Sequence, residues 1–113
     1  MSWDVSLHTH KAACEHCGRG EESDIIYDVN YTSNMYPMLK RAGFDWDEIN
    51  GKSALIAGGR LNWLILQLEN DRAGYEALNP SNGWGNYSSF VEWLRGIATA
   101  CKDNSYAIFR ISR

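Results

Sequence analysis

The sequence predicts an α+β fold, in which a small antiparallel sheet of about three strands packs against two to four helices beside an N-terminal zinc knuckle. Three observations predict it: a period-two pattern near the N-terminus, a helical period near the C-terminus, and a Cys-x-x-Cys-Gly motif at 14–18. Because 113 residues are enough for one hydrophobic core and not for two, we expect a single domain over 1–113.

Two strands are expected to pair as a hairpin within residues 1–31. Trp3, Val5 and Leu7 alternate with polar residues, which is typical of a half-buried strand. A second alternating segment covers 24–31. Its apolar residues are expected on one face of the strand, and they are Ile25, Tyr27, Val29 and Tyr31.

The segment 32–104 is expected to be helical, and a last strand is expected within 105–112. A short helix over 35–42 should have Pro37 in its first turn and should end at Gly43. Ser53 should cap a longer helix. The buried stripe of that longer helix is predicted to contain Ala54, Ala57, Gly58, Leu61, Leu64, Ile65 and Leu68.

A further short helix is expected over 71–78, followed by a loop and a final helix. That final helix has the clearest apolar face of the chain. Its predicted buried residues are Tyr87, Phe90, Val91, Leu94, Ile97, Ala98 and Cys101. Cys101 is therefore expected to act as a small buried apolar residue.

The cysteine motif near the N-terminus predicts a zinc site. Cys14 and Cys17 would supply two thiolates, and His8 and His10 would complete a tetrahedral set. His16 is an alternative to either histidine. A redox-active thiol pair is the other interpretation, but such pairs precede a helix, whereas a Gly-Arg-Gly-Glu-Glu turn follows here.

Composition and charge limit the function classes. The net charge is −3 and no basic run occurs, which argues against a general nucleic-acid binder. No apolar stretch has the length of a membrane span, and no leader pattern precedes the first strand, so we expect a cytoplasmic protein. A closed zinc site leaves no open coordination position, and no catalytic motif occurs, so we expect no enzyme activity.

Two loops combine amide side chains with aromatic rings, a composition that favours recognition surfaces. Turn formation and helix capping are the alternative explanation for these residues. The candidate binding residues are Asn30, Tyr31, Asn34, Asn82, Trp84 and Tyr87.

Several segments resemble a family of small phage and prophage proteins, and the resemblance spans nearly the whole chain. The segments are Met1-Ser2-Trp3, Cys14-Glu15-His16-Cys17-Gly18-Arg19, Asn30-Tyr31-Thr32-Ser33-Asn34-Met35 and Asn79-Pro80-Ser81-Asn82-Gly83-Trp84-Gly85-Asn86-Tyr87. The resemblance implies an accessory protein made in an infected bacterium, and it implies no mechanism.

Three functions follow as hypotheses. The first is a zinc-stabilised module that binds a host or phage protein and inhibits it, with bacterial defence proteins among the targets. The second is a binder of a small molecule such as a nucleotide signal, with the loop aromatics stacking on the base. The third is a nucleic-acid-binding zinc protein, whose candidate phosphate contacts are Lys11, Arg19, Arg60 and Arg72.

The zinc hypothesis predicts about one metal ion per chain. Replacing Cys14 or Cys17 should destabilise the N-terminal hairpin, because metal binding contributes folding free energy. Native mass spectrometry of the purified protein measures the metal content, and thermal unfolding with and without a chelator measures its effect. A metal-free protein whose melting temperature does not change with the chelator would contradict the hypothesis.

Overall fold

A computed structural model of the chain describes residues 2–11 and 22–113. It confirms the predicted α+β class, with a three-stranded antiparallel sheet and helices that share a hydrophobic core. The strands are β1 (Ser2–Lys11), β2 (Glu22–Thr32) and β3 (Ile108–Ser112). The helices are α1 (Tyr36–Ala42), α2 (Ala54–Asn70), α3 (Arg72–Glu76) and α4 (Tyr87–Asp103).

The sheet has the order β2-β1-β3, so β1 is the central strand. The predicted hairpin is confirmed, because β1 pairs with β2 antiparallel from Ser2 opposite Thr32 to Lys11 opposite Glu22. The residues of β1 that were predicted to face the core, Trp3, Val5 and Leu7, are all buried. β3 pairs with the middle of β1 only, between positions 4 and 8.

A β-bulge interrupts β2 and changes the face of one predicted core residue. Tyr27 lies opposite Leu7, whereas Ile25 lies opposite the next residue of β1, His8, so Ile26 is an extra residue in the ladder. The prediction that Ile25 shares a face with Tyr27 is therefore wrong, and the Ile25 side chain is 60% exposed. A one-residue insertion moves every residue beyond it to the opposite face of the strand.

The helices begin and end close to the predicted residues. A 3-10 turn over Ser33–Met35 leads into α1, which has Pro37 in its first turn and ends at Gly43 in the left-handed region with φ 77°. The Ser53 hydroxyl accepts the backbone N–H of Ile56 at 3.3 Å and caps α2. Within the described residues, no helix has the length and apolar character to cross a bilayer.

Helices α2 and α4 pack closely against each other at Gly58 of α2. All the predicted stripe residues of α2 are buried, and Gly58 is among them. A Cβ atom added to Gly58 would lie 3.0 Å from the Cβ of Cys101 on α4, which is closer than ordinary van der Waals contact. Cys101 is fully buried, as predicted, and burial raises the pKa of its thiol to about 11, so it stays protonated at neutral pH.

The two adjacent glycines of α2 give a matched test of this packing. Gly59→Ala should raise the free energy of unfolding by about 1 kcal/mol, because the added methyl group meets no atom within 4 Å and alanine favours the helix. Gly58→Ala should lower it by about 1 kcal/mol, because overpacking against Cys101 outweighs the same helix preference. Chemical denaturation of both variants measures the two changes, and equal stabilisation would show that α4 is not held against Gly58.

Candidate functional site

Two loops that are far apart in the sequence meet at one end of the sheet. The residues after Asn30 at the end of β2 face the turn that contains Trp84, and a groove of about 580 Å³ lies between them. We call it the amide groove. Its described lining residues are Ser2, Asn30, Tyr31, Thr32, Asn34, Asn82 and Trp84. The predicted binding residues other than Tyr87 are therefore brought together in one place.

The turn on one side of the groove is organised by Asn82. Its side-chain Oδ1 accepts the backbone N–H of Trp84 at 3.0 Å, which is an Asx turn, and it lies 3.5 Å from Nδ2 of Asn34 on the other side. Gly83 follows with φ 76°, a left-handed conformation that glycine adopts without strain. The turn therefore places the Trp84 side chain at the mouth of the groove.

Close packing at Gly85 brings the turn against the end of β2. A Cβ atom at this position would lie 2.8 Å from Thr32 Cγ2, 3.1 Å from Met35 Sδ and 3.2 Å from Tyr31 Cε1. Gly85 also has φ 89°. Any larger residue here would push the two walls of the groove apart and would strain the backbone.

Tyr31 holds the two walls together. Its ring packs on Phe90 and Trp93 of α4, with centroid distances of 5.5 Å and 5.3 Å. Its hydroxyl accepts the backbone N–H of Asn86 at 3.2 Å and forms a short hydrogen bond with Ser89. Asn86 in turn caps α4, because its Oδ1 accepts the backbone N–H of Ser89 at 2.9 Å.

The groove has the chemistry of a neutral recognition site. The Trp84 side chain is 70% exposed, and the Asn30 side chain makes no hydrogen bond to any described residue. The described lining contains amides, hydroxyls and aromatic rings, and the Tyr31 phenol is its one ionisable group. Such a surface can stack on a flat group and can exchange hydrogen bonds with neutral polar groups.

Tyr87 does not line the amide groove, so the structure does not bring it together with the other predicted binding residues. It is 5% exposed, and its hydroxyl donates a hydrogen bond to the backbone carbonyl of Leu68 at 2.9 Å. Burial raises the pKa of Tyr87 above its usual value. The sequence already indicated that Tyr87 is buried, because this residue also begins the predicted apolar stripe of α4.

Ser2 and Thr32 line the groove but were not among the predicted binding residues. They lie opposite one another in the β1–β2 ladder. The register of the hairpin, which periodicity alone does not determine, is the information that would have placed them beside Asn30.

The predicted zinc ligands lie mostly outside the described residues. Cys14, Cys17 and His16 fall between the described ranges. His10 belongs to β1 opposite Ser23. His8 is described, and its Nε2 lies 2.8 Å from the Ser6 hydroxyl. Within the described residues, no three His, Cys, Asp or Glu side chains converge as metal ligands would.

The hairpin register places the two ends of the segment that carries the cysteine motif side by side. Because Lys11 lies opposite Glu22, the two ends of the segment 12–21 are adjacent. At about 3.3 Å per residue, His8 lies about 10 Å from the end of β1, whereas His10 is one residue from it. The His8 Nε2 lies within hydrogen-bond distance of Ser6, which leaves Nδ1 of the same ring available to a metal, so the choice among His8, His10 and His16 stays open.

Two of the arginines considered for nucleic-acid binding are paired with carboxylates. Arg60 contacts Glu48 at 2.8 Å and lies over the Trp63 ring at 3.8 Å. Arg72 forms an ion pair with Glu76 one helical turn later. An arginine that binds a neighbouring carboxylate is less able to neutralise a phosphate, so this arrangement weakens the nucleic-acid hypothesis.

No protein-family model, no curated protein and no solved structure matches this chain. The resemblance to small phage proteins therefore stays a prediction.

Removing the Tyr31 hydroxyl should loosen the amide groove. Tyr31→Phe loses the hydrogen bonds to Asn86 and Ser89, and we expect the free energy of unfolding to fall by about 1 to 2 kcal/mol. Hydrogen exchange at the amide groups of residues 84–89 should become faster. The matched control is Tyr106→Phe, because the exposed Tyr106 should tolerate the change within about 0.5 kcal/mol. Unchanged exchange in Tyr31→Phe would show that this hydroxyl does not hold the loop.

Proposed function

We propose that this protein is a binding module that docks on another protein through the amide groove, with Trp84 as its main anchor. The single observation that carries the proposal is the convergence of Asn30, Asn34, Asn82 and the exposed Trp84 in one groove. Tryptophan dominates protein interfaces because it buries a large area and loses little conformational freedom on binding.

Rigidity of the groove supports this role. Tyr31 joins the groove to the aromatic core, and Gly85 holds the turn against the end of β2. A preorganised surface pays less conformational entropy when a partner binds. Among the described residues, the Asn30 amide and Nδ2 of Asn82 have no hydrogen-bond partner, which leaves hydrogen-bonding capacity for a binding partner.

The proposed partner is a bacterial or phage protein, and the proposed effect is inhibition, with defence proteins among the candidates. The sequence resemblance to small phage proteins supports this part of the proposal. A zinc ion bound by Cys14 and Cys17 is proposed to stabilise the hairpin tip, away from any reaction. Support for that part comes from the motif and from the adjacent ends of the segment 12–21.

Binding of a neutral small molecule is the second candidate function. The groove volume of about 580 Å³ is in the range of small-molecule sites, and Trp84 could stack on a nucleobase. The described lining offers no cation for a phosphate group, so a charged nucleotide fits less well than a neutral ligand. A ligand that co-purifies with the protein and is released on denaturation would favour this function.

Replacing Trp84 should remove partner binding. We expect tagged Trp84→Ala to capture the partner from a bacterial lysate at least about tenfold less well than the unchanged protein, because truncating a central aromatic anchor typically costs 2 kcal/mol or more. Quantitative mass spectrometry of the captured proteins measures the ratio. The matched control is Tyr106→Ala, which removes an equally exposed aromatic ring from another surface.

A second measurement locates the contact directly. Hydrogen exchange of the complex should show protection at residues 30–34 and 82–86, with no protection around Tyr106. A partner captured equally well by Trp84→Ala, or protection confined to other surfaces, would disprove docking through the amide groove.

A further inference from the structure

β2 is an open edge of the sheet and leads directly into the amide groove. It pairs with β1 along its full length on one side, and no backbone hydrogen bond joins its other side to the described chain. We propose that a partner adds an extended strand to β2, and that this strand alternates Lys or Arg with apolar residues. This inference rests on the proposed function, because it names the chemistry of the partner that docks there.

β2 lacks two of the features that protect edge strands from pairing, although it has a bulge and acidic residues. It contains no proline and no lysine, which natural edges often carry. The bulge at Ile26 disturbs one point of the edge and leaves the stretch from Tyr27 to Asn30 regular. Backbone pairing along this stretch would give affinity, and the side chains on each face would give specificity.

The two faces of β2 explain why the added strand should alternate. On the core side, Tyr27 and Val29 are half-buried at the margin of the hydrophobic core, so apolar residues beside them would extend that core. On the outer side, Asp28 is exposed next to the partner position, so a Lys or Arg there would form a cross-strand ion pair. Side chains of a strand point to opposite faces in alternation, so one strand can satisfy both requirements.

Charge also argues against a second copy of this chain as the occupant. The sequence of β2 has three acidic residues and no basic one, and Asp28 among them is exposed. Pairing two β2 strands would bring two acidic strands and their Asp28 carboxylates to one interface, which is unfavourable. A basic strand avoids this repulsion, and its positive charges are attracted to the acidic residues of β2.

The amide groove continues the same binding path. Asn30 belongs both to β2 and to the groove, and Trp84 lines the same groove. A strand that pairs with β2 as far as Asn30 would bring its terminal residues to the groove that Trp84 lines. An aromatic or amide residue at that end fits the neutral lining of the groove.

Synthetic peptides test the inference without knowledge of the natural partner. The probe is a peptide of about nine residues, the length of a long natural strand, that alternates Lys and Val and ends in Phe. The controls are the same peptide with Glu in place of Lys and a version N-methylated on every residue. We expect the Lys peptide to shift the amide NMR signals of residues 24–30, and both controls to bind at least about tenfold more weakly.

A charge-reversal variant locates the binding on β2. Asp28→Lys should weaken binding of the Lys peptide at least about tenfold and strengthen binding of the Glu peptide. The matched control is Asp103→Lys, which changes the net charge equally at the end of α4 and should leave both affinities unchanged. Equal binding of the Lys and Glu peptides, tight binding of the N-methylated peptide, or equal effects of the two variants would each overturn the inference.

Two further results separate this inference from the proposed function. A partner whose capture depends on Trp84 and not on Asp28 would overturn strand addition while supporting the amide groove. A dimer of the protein alone that Asp28→Lys dissociates would overturn the basic partner, because the edge would then be occupied by a second copy.

Discussion

A cluster of aromatic rings joins the sheet to α4, and the candidate site depends on it. The ring centroid of Trp3 in β1 lies 6.0 Å from that of Phe90 in α4 and 5.5 Å from that of Trp46. The Trp46 ring in turn stacks on the ring of Phe109 in β3, with a centroid distance of 6.1 Å. Each aromatic pair contributes about 0.5 to 1.5 kcal/mol beyond its buried area. The indole nitrogens of Trp46 and Trp93 have no hydrogen-bond partner among the described residues, so packing must outweigh that loss.

The cluster reaches the surface through Tyr31. Its ring belongs to the cluster, whereas its hydroxyl binds Asn86 at the first turn of α4. Asn86 therefore has two tasks, because it caps the helix and anchors the loop that carries Trp84. A change that loosens the packing between β2 and α4 would thus also displace a wall of the amide groove. Fold stability and groove shape are coupled through these two residues.

Local patterns in the sequence were enough to predict the elements, and they failed where tertiary contacts decide. Alternation identified β1, and helical spacing identified α4, because each pattern reflects burial of one face. The bulge in β2 was not predictable, since Ile25 and Ile26 are both apolar and either could continue the pattern. Tyr87 carried two conflicting signals, as part of an aromatic loop and as part of an apolar stripe, and burial followed the stripe.

The sequence predicted the two loops that line the amide groove, but not that they meet. Each loop was suspected from its amides and aromatic rings, but their convergence depends on the hairpin register and on the close approach at Gly85, which no local pattern reports. The zinc site rests on a motif in the segment 12–21, and it stays a prediction. The motif alone predicts Cys14 and Cys17 as its thiolates, because they are local in sequence, whereas the choice among His8, His10 and His16 depends on geometry.

Exposure of Trp84 is the strongest argument that this surface serves a partner. Burying an indole ring is among the largest hydrophobic gains available to a protein of this size, yet the turn presents 70% of this side chain to solvent. Two glycines with positive φ and an Asx turn hold the backbone in that shape. Folding alone does not require such an arrangement, since a smaller polar residue would suit the same turn. The groove that Trp84 lines also contains Asn30 near the end of β2, so a strand paired with β2 as proposed would run toward this ring.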